Sequence, residues 1–227
     1  ISISNDETRH YLSGVFLHKT EIDKNFFLTA AATDTHRLSV SNIKLKSDIN
    51  FEPIIVPKKT IFQISSLLNE NNETVTILHN KSKIKFKLKN SVLISKVIDG
   101  KFPNYNKVIP KNNQKILEIN LKDFINAVDR VVSVSSDKKE GVKMYIFKNY
   151  VQLSVNSPNS GDGTEKIKAN FNSDEIEISF NARYLMDVAS QVEGEKMIFS
   201  LHDTGSPAII KDQSDPNSCY VVMPMKI

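Results

Sequence analysis

The chain has 227 residues, 40% of them hydrophobic and 25% charged, an ordinary globular balance that argues against disordered and fibrous classes. No apolar run approaches the ~20 residues of a spanning helix, and no basic-then-apolar leader opens the chain, so no membrane association is expected. The net charge of +4 is mild but uneven, with 16 Lys and Arg against 10 acids in residues 1–110 and 14 against 16 in the remainder, a margin that permits nucleic-acid binding without requiring it.

Residues 9–17 are apolar-dense and read as a first strand; residues 26–33 read as a second, joined to it by the polar turn around Asp23, Lys24 and Asn25. Thr33-Asp34-Thr35-His36-Arg37-Leu38-Ser39-Val40 is polar and then alternating, a turn into a third strand. Residues 54–56 form a short strand, and Pro57 is placed to open a helix, where its missing N–H costs nothing. Ile61, Ile64, Leu67 and Leu68 give that helix its buried face, and residues 69–72 end it. A hairpin follows over 74–78 and 81–88. Its second strand puts Lys81, Lys83, Lys85, Lys87 and Lys89 on one face and Ile84, Phe86 and Leu88 on the other. The lysine row is read as a solvated face protecting an edge rather than as a DNA surface. Residues 92–97 form another strand, and a turn over 102–105 leads to Val108, Ile109 and Pro110.

Residues 110–114 are the clearest boundary, giving two domains, 1–110 and 111–227. Beyond it come a strand at 116–119 and a helix capped by Asn120, with Asp123 in its first turn and a stripe of Leu121, Phe124, Ile125, Val128, Val131 and Val132. Strands are expected at 142–147 and 150–155, then a turn at Gly161-Asp162-Gly163, then strands at 165–170 and 175–180. Asn181 caps a second helix with Tyr184, Leu185, Val188 and Val192 inward, and strands at 196–201, 208–211 and 219–223 finish the pattern. The closing residues, Tyr220 to Ile227, are too apolar to be loose; Pro224 should end the ladder and leave Met225 and Ile227 on an outside edge.

Two stretches recur. Ile1-Ser2-Ile3-Ser4-Asn5-Asp6 matches Val132-Ser133-Val134-Ser135-Ser136-Asp137, and the strand and helix of 52–69 match those of 175–192. The chain is therefore two copies of one unit. The second copy has a strand and helix ahead of the matching point and the first has none, and the first residue is not methionine, so the chain reads as part of a longer protein. Each unit pairs antiparallel sheets with amphipathic helices, an α+β fold. The polar helix faces carry Lys58, Lys59, Lys122, Arg130 and Arg183, which suits a phosphate backbone contacted without base reading.

Five motifs then stand in one order: Tyr11-Leu12-Ser13-Gly14; Ala32-Thr33-Asp34-Thr35-His36-Arg37-Leu38; Ile55-Val56-Pro57-Lys58-Lys59; Ser95-Lys96-Val97-Ile98-Asp99-Gly100-Lys101-Phe102-Pro103-Asn104-Tyr105; and Tyr220-Val221-Val222-Met223-Pro224-Met225. On these the chain resembles the bacterial DNA polymerase III beta subunit family, the sliding clamps, over practically its whole length, as a second repeat without its opening elements followed by a third. The resemblance implies a DNA clamp fold, sheets outside and helices lining a concave DNA-facing side, in a ring that is a homodimer in the full-length protein. It implies a non-catalytic processivity factor that binds duplex DNA without sequence preference, in the cytoplasm, with no cofactor. Replicative polymerase, clamp loader and repair proteins would dock by short peptides, typically a glutamine followed by apolar residues, in a cleft between the second and third repeats.

The matching cleft positions are Leu12, Thr33, Thr35, His36, Arg37, Leu38, Pro103, Lys107, Val108, Val221, Val222, Met223, Pro224, Met225 and Lys226. Thr35 stands where the family often has glycine, and Lys107 and Lys226 where it often has arginine. Arg9 and Tyr11 match DNA-facing positions, and Ser133 and Val134 match the ring-closing edge. A simple electrostatic nucleic-acid binder is the alternative reading. A hydrolase built on Asp34, His36 and Ser39 is the third, weakened by the absence of a nucleophile elbow. His10, His18, His36, His79 and His202 lack metal-ligand spacing. The single cysteine, Cys219, permits no internal disulfide and reads as a small core residue of a protein in a reducing compartment.

Overall fold

The computed structural model describes residues 1–68, 74–134, 141–157 and 161–226. The expected helix end at 69–72, the matched residues Ser135, Ser136 and Asp137, and Ile227 lie outside the described residues. The chain divides into two compact units, Ser2–Asn104 and Tyr105–Ile227, Ile1 counting with the latter. The division thus falls ahead of the Pro110 region, because Tyr105 is buried and begins a short 3-10 turn, Tyr105–Lys107, that belongs to the second unit.

The first unit contains β1 (Gly14–Ile22), β2 (Asn25–Thr33), β3 (Arg37–Lys44), β4 (Ile54–Pro57), α1 (Lys58–Leu67), β5 (Thr76–His79), β6 (Lys83–Lys87) and β7 (Val92–Lys96). Strands β4, β1, β2 and β3 pair antiparallel in that order, and β5, β6 and β7 form a second antiparallel sheet. Asp23 and Lys24, at φ 49° and 62°, make the two-residue turn whose twist suits a hairpin. The first strand starts at Gly14 rather than Arg9. Asp6 accepts hydrogen bonds from the Thr8 N–H at 2.9 Å and from Arg9 Nε at 2.7 Å, and this capping draws Arg9–Leu12 into the 3-10 segment Glu7–Leu12. Pro57 is the cap of α1 rather than its first turn, and supplies no side-chain bond to it. The core of this unit is Leu17, Ile54, Val56, Ile64, Ile84 and Phe86. Contrary to expectation, Leu67 and Leu68 are exposed, and so is Phe62. Strand β6 lies in the middle of its sheet, so its lysines guard no edge.

The second unit contains β8 (Lys115–Asn120), α2 (Leu121–Val132), β9 (Gly141–Ile146), β10 (Tyr150–Ser157), β11 (Gly161–Phe171), β12 (Ile176–Asn181), α3 (Ala182–Ala189), β13 (Lys196–Leu201), β14 (Ala208–Asp212) and β15 (Ser218–Val222). Within the unit the strand order is β12-β9-β10-β11-β8-β13-β14-β15. Asn120 and Asn181 cap the helices as the sequence predicts, accepting from the N–H groups of Asp123 at 3.1 Å and Tyr184 at 3.3 Å. Both helices bury their predicted stripes in one core with Leu117, Met144, Leu153, Phe171 and Phe199. The Gly161-Asp162-Gly163 segment is ladder rather than turn: Ser157 pairs with Gly161 and Val155 with Gly163. Glycine is required at 163 because a Cβ there would lie 2.7 Å from the Val131 carbonyl oxygen of α2.

The repeat is visible in the pairing. Gly14 opposes Pro57, the cap of α1, as Gly141 opposes Asn181, the cap of α3. The Leu45 N–H donates to Phe26 O as the Ala169 N–H donates to Asn149 O. Counting back from these bonds, Ile43 is the counterpart of Ile167. Yet Ile43 is 68% exposed where Ile167 is 7% exposed, packed with α2 in the core. Strand β8 joins β11 to β13 in the second unit; among the described residues of the first, no strand joins β3 to β5. Ile43 thus lies exposed where its counterpart is covered by β8 and α2.

Candidate functional site

The β2–β3 turn is fixed by its own short polar side chains. Thr33 Oγ1 donates to Arg37 O at 2.7 Å and accepts the Thr35 N–H at 3.1 Å. Asp34 Oδ1 accepts from the N–H groups of His36 and Arg37 at 3.0 Å each, and its other oxygen takes Arg37 Nε at 3.0 Å. Thr33, Arg37, Leu38 and Leu12 are buried, which leaves Thr35 and His36 as the exposed tip. Thr35 sits at φ 79°, a left-handed conformation that is unfavourable for a β-branched residue. Both Asp34 oxygens are committed within the turn, and Ser39 Oγ pairs with Ser2 Oγ at 2.6 Å. Asp34, His36 and Ser39 therefore do not converge on a catalytic arrangement.

In the second unit, β15 ends at Val222 rather than Met223, with Val221 and Val222 in the core. Met223 and Met225 are exposed, Pro224 is half-buried and Lys226 is exposed. The tail is not a free edge, because the Met225 N–H donates to Ser179 O of β12 at 2.7 Å. That bond anchors the backbone at Met225, whose side chain stays exposed. Lys107 and Val108 are also exposed, and the Val108 N–H is held by Tyr105 O at 3.0 Å. Burial, with Cys219 nearby, pushes the Tyr105 phenol up to about 12. Cys219 is only partly buried, and its thiol is likewise raised by burial. Pro103, in the first unit, is exposed.

Each α-helix of the described residues carries a cation in its first turn: Lys58 and Lys59 in α1, Lys122 in α2 and Arg183 in α3. Cations there oppose the helix dipole by a few tenths of a kcal/mol or more each, so helix stability does not account for them. Lys59, Lys122 and Arg183 are exposed, with no ion pair among the described residues. Lys58 Nζ reaches Asn5 Oδ1 at 2.7 Å and lies 5.9 Å from the Phe62 ring centre. Arg9 is paired with Asp6 at 2.7 Å, and Tyr11, half-buried, packs beside Gly100. Arg130 is engaged by both carboxylate oxygens of Glu165, Nε to Oε2 at 2.7 Å, and that pair raises the guanidinium and lowers the carboxyl. Ser133 is exposed and donates to Arg130 O at 2.7 Å, while Val134 packs against the core. Sequence reasoning passed over Phe62, an aromatic one position outside the apolar stripe of α1, which the fold leaves exposed beside Lys58 and Lys59.

A sheet-and-helix unit built twice, with its helices opened by cations, places the chain in the class of DNA clamp folds, and its structural neighbours agree. A sliding clamp from Bartonella birtlesii, solved bound to griselimycin, superposes with a TM-score of 0.94 at 38% identity, covering all of this chain and 61% of that one. The clamp of Pseudomonas aeruginosa superposes at 0.92 with 28% identity, again covering all of this chain and 61% of that one. Residues 1–104 match the family model for the central domain of the DNA polymerase III beta subunit, and residues 106–226 that for its C-terminal domain. The chain belongs to the DNA polymerase III beta subunit family. The beta sliding clamps of Caulobacter vibrioides and Escherichia coli are 37% and 30% identical to it over 227 and 226 residues, and the chain spans 61% of the length of each.

Proposed function

We propose that this chain is the larger part of a DNA sliding clamp, a non-catalytic processivity factor that encircles duplex DNA and tethers polymerase and other replication and repair proteins. The observation that carries the reading is the order of the two family models, central then C-terminal, laid end to end over two copies of one unit. Lys59, Lys122 and Arg183, exposed at the starts of α1, α2 and α3 with no ion pair among the described residues, support contact with the phosphate backbone, a contact that carries no sequence information. Arg9 and Arg130 would join it only by exchanging Asp6 and Glu165 for phosphate.

The peptide-docking role falls on exposed residues of each unit: Thr35, His36 and Pro103 in the first, and Lys107, Val108, Met223, Met225 and Lys226 in the second. The buried members of the predicted set, Leu12, Thr33, Arg37, Leu38, Val221 and Val222, act by holding these in place. Methionine suits a site that receives several different apolar anchors, being unbranched and polarizable. Two or three such anchors, at roughly 1.5–3 kcal/mol each less the cost of ordering, give affinities near micromolar. In the whole protein a strand and helix of the β8–α2 kind cover Ile43 and Leu68, Ser133 and Val134 contribute to ring closure, and the ring is a homodimer.

Two measurements test this. A peptide of glutamine followed by leucines should bind the wild type and be lost on Met223→Ala or on removal of the residues from Met225 onward, with the fold retained; unchanged affinity removes the docking assignment. The whole protein, loaded on a circular duplex, should stay bound at high salt and slide off after linearisation. Equal salt-sensitive loss from circular and linear DNA would instead favour a simple electrostatic binder.

A further inference from the structure

The outward face of β5, β6 and β7 carries an arrangement that the fold does not require. Lys83, Lys85 and Lys87 project from the middle strand, on the side away from buried Ile84 and Phe86. Across the ladder Lys85 stands between Leu78 and Ile94, and Lys87 between Thr76 and Val92, while Lys83 lies directly opposite Lys96. Leu78, Val92 and Ile94 are about half exposed, at 49%, 56% and 58%. None of the four lysines has a carboxylate partner among the described residues.

This arrangement costs the sheet. Lysine is a poor strand former, and like charges placed directly opposite repel. Edge protection would justify the cost on an outer strand, but β6 is the middle one. Solubility would justify lysines but not the three aliphatic side chains set among them. The repeat shows that the fold can do otherwise. The corresponding strand of the second unit, β14, turns only Ile209 and Lys211 outward.

We propose that the β5–β6–β7 face binds an acidic segment of a partner protein that carries aliphatic side chains among its carboxylates. Charge complementarity selects the acidic character: successive lysines of β6 lie about 7 Å apart along one strand, in reach of several carboxylates at once. The aliphatic side chains flanking Lys85 and Lys87 select a partner with apolar groups of its own. A nucleic acid fits less well, because the face offers no aromatic ring for a base to stack on. This surface is independent of the peptide-docking residues proposed above, since it shares none of them.

The test is fluorescence anisotropy at physiological ionic strength, with the full chain and two short labelled peptides. One carries glutamates and leucines at helical spacing; the other has every leucine replaced by serine. The glutamate–leucine peptide should bind saturably, and Lys85→Glu and Ile94→Ser should each weaken it by about tenfold or more, with Lys85→Gln intermediate. The serine peptide should bind about tenfold more weakly and be insensitive to Ile94→Ser. Thermal melts within a few degrees of the wild type establish that the variants fold. Equal binding of the two peptides, or no effect of the variants, overturns the proposal. So does tighter binding of a single-stranded oligonucleotide or of phosphatidylserine vesicles that the same variants abolish.

Discussion

Thr35 holds a left-handed backbone at φ 79° in a turn fixed by the side chains of Thr33 and Asp34. Strain of this kind costs on the order of 1–3 kcal/mol, while a glycine loses about 0.5–1 kcal/mol more through the entropy of the unfolded chain. Thr35→Gly should therefore raise stability by about 0.5–1 kcal/mol in urea unfolding; a decrease would show that the Thr35 side chain contributes more than its strain costs. Asp212 is the opposite case, a buried carboxylate held by the N–H groups of Glu193 at 2.8 Å, Gly194 at 3.2 Å and Ser214 at 2.7 Å, and by the Ser214 hydroxyl at 2.8 Å. Burial raises it, but these donors together outweigh burial and leave it below the ordinary carboxylate value. A depressed carboxylate contributes stability above its unfolded value, near 3.9, and loses it as pH falls through the lower folded value. Asp212→Asn should cost about 1.5–3 kcal/mol at neutral pH, and its acid-unfolding profile should be flatter than that of the wild type below about pH 4.

At the scale of elements, sequence and structure agree best where periodicity is strong and burial continuous. The α2 stripe and both asparagine caps were legible because Phe124, Val128 and Val131 recur at helical spacing behind a residue whose side chain satisfies a free N–H. Glu7–Leu12 was not, because the Asp6 carboxylate caps it through Thr8 and Arg9, partners that are visible only in three dimensions. Nor was Gly163, read as a turn residue although its role is to let α2 approach β11. Gly163→Ala should push the Val131 backbone away and cost about 2–3 kcal/mol by thermal unfolding. A cost below about half a kcal/mol would mean that α2 shifts freely, which its packed core does not suggest.

At the scale of the whole molecule, the two units test each other at Ile43 and Ile167, the same residue type under different cover. Ile167→Ala should cost about 2–4 kcal/mol, whereas Ile43→Ala in this chain should cost little. In a longer protein with a strand and helix over the first unit, Ile43→Ala should become as damaging as its counterpart, and a persistently small cost would remove that completion. The sequence by itself determined the repeat, the α+β class, most of the strands and helices, the family and the identity of the candidate residues, because these follow from the order and spacing of side chains along one chain. Only the tertiary structure decided which candidates reach solvent. Leu12, Leu38, Val221 and Val222 are buried while Met223 and Met225 are not, and Arg130 is occupied by Glu165 while Lys122 has no ion pair among the described residues. Exposure and pairing depend on residues distant in the chain, and spacing along one strand or helix carries no record of them.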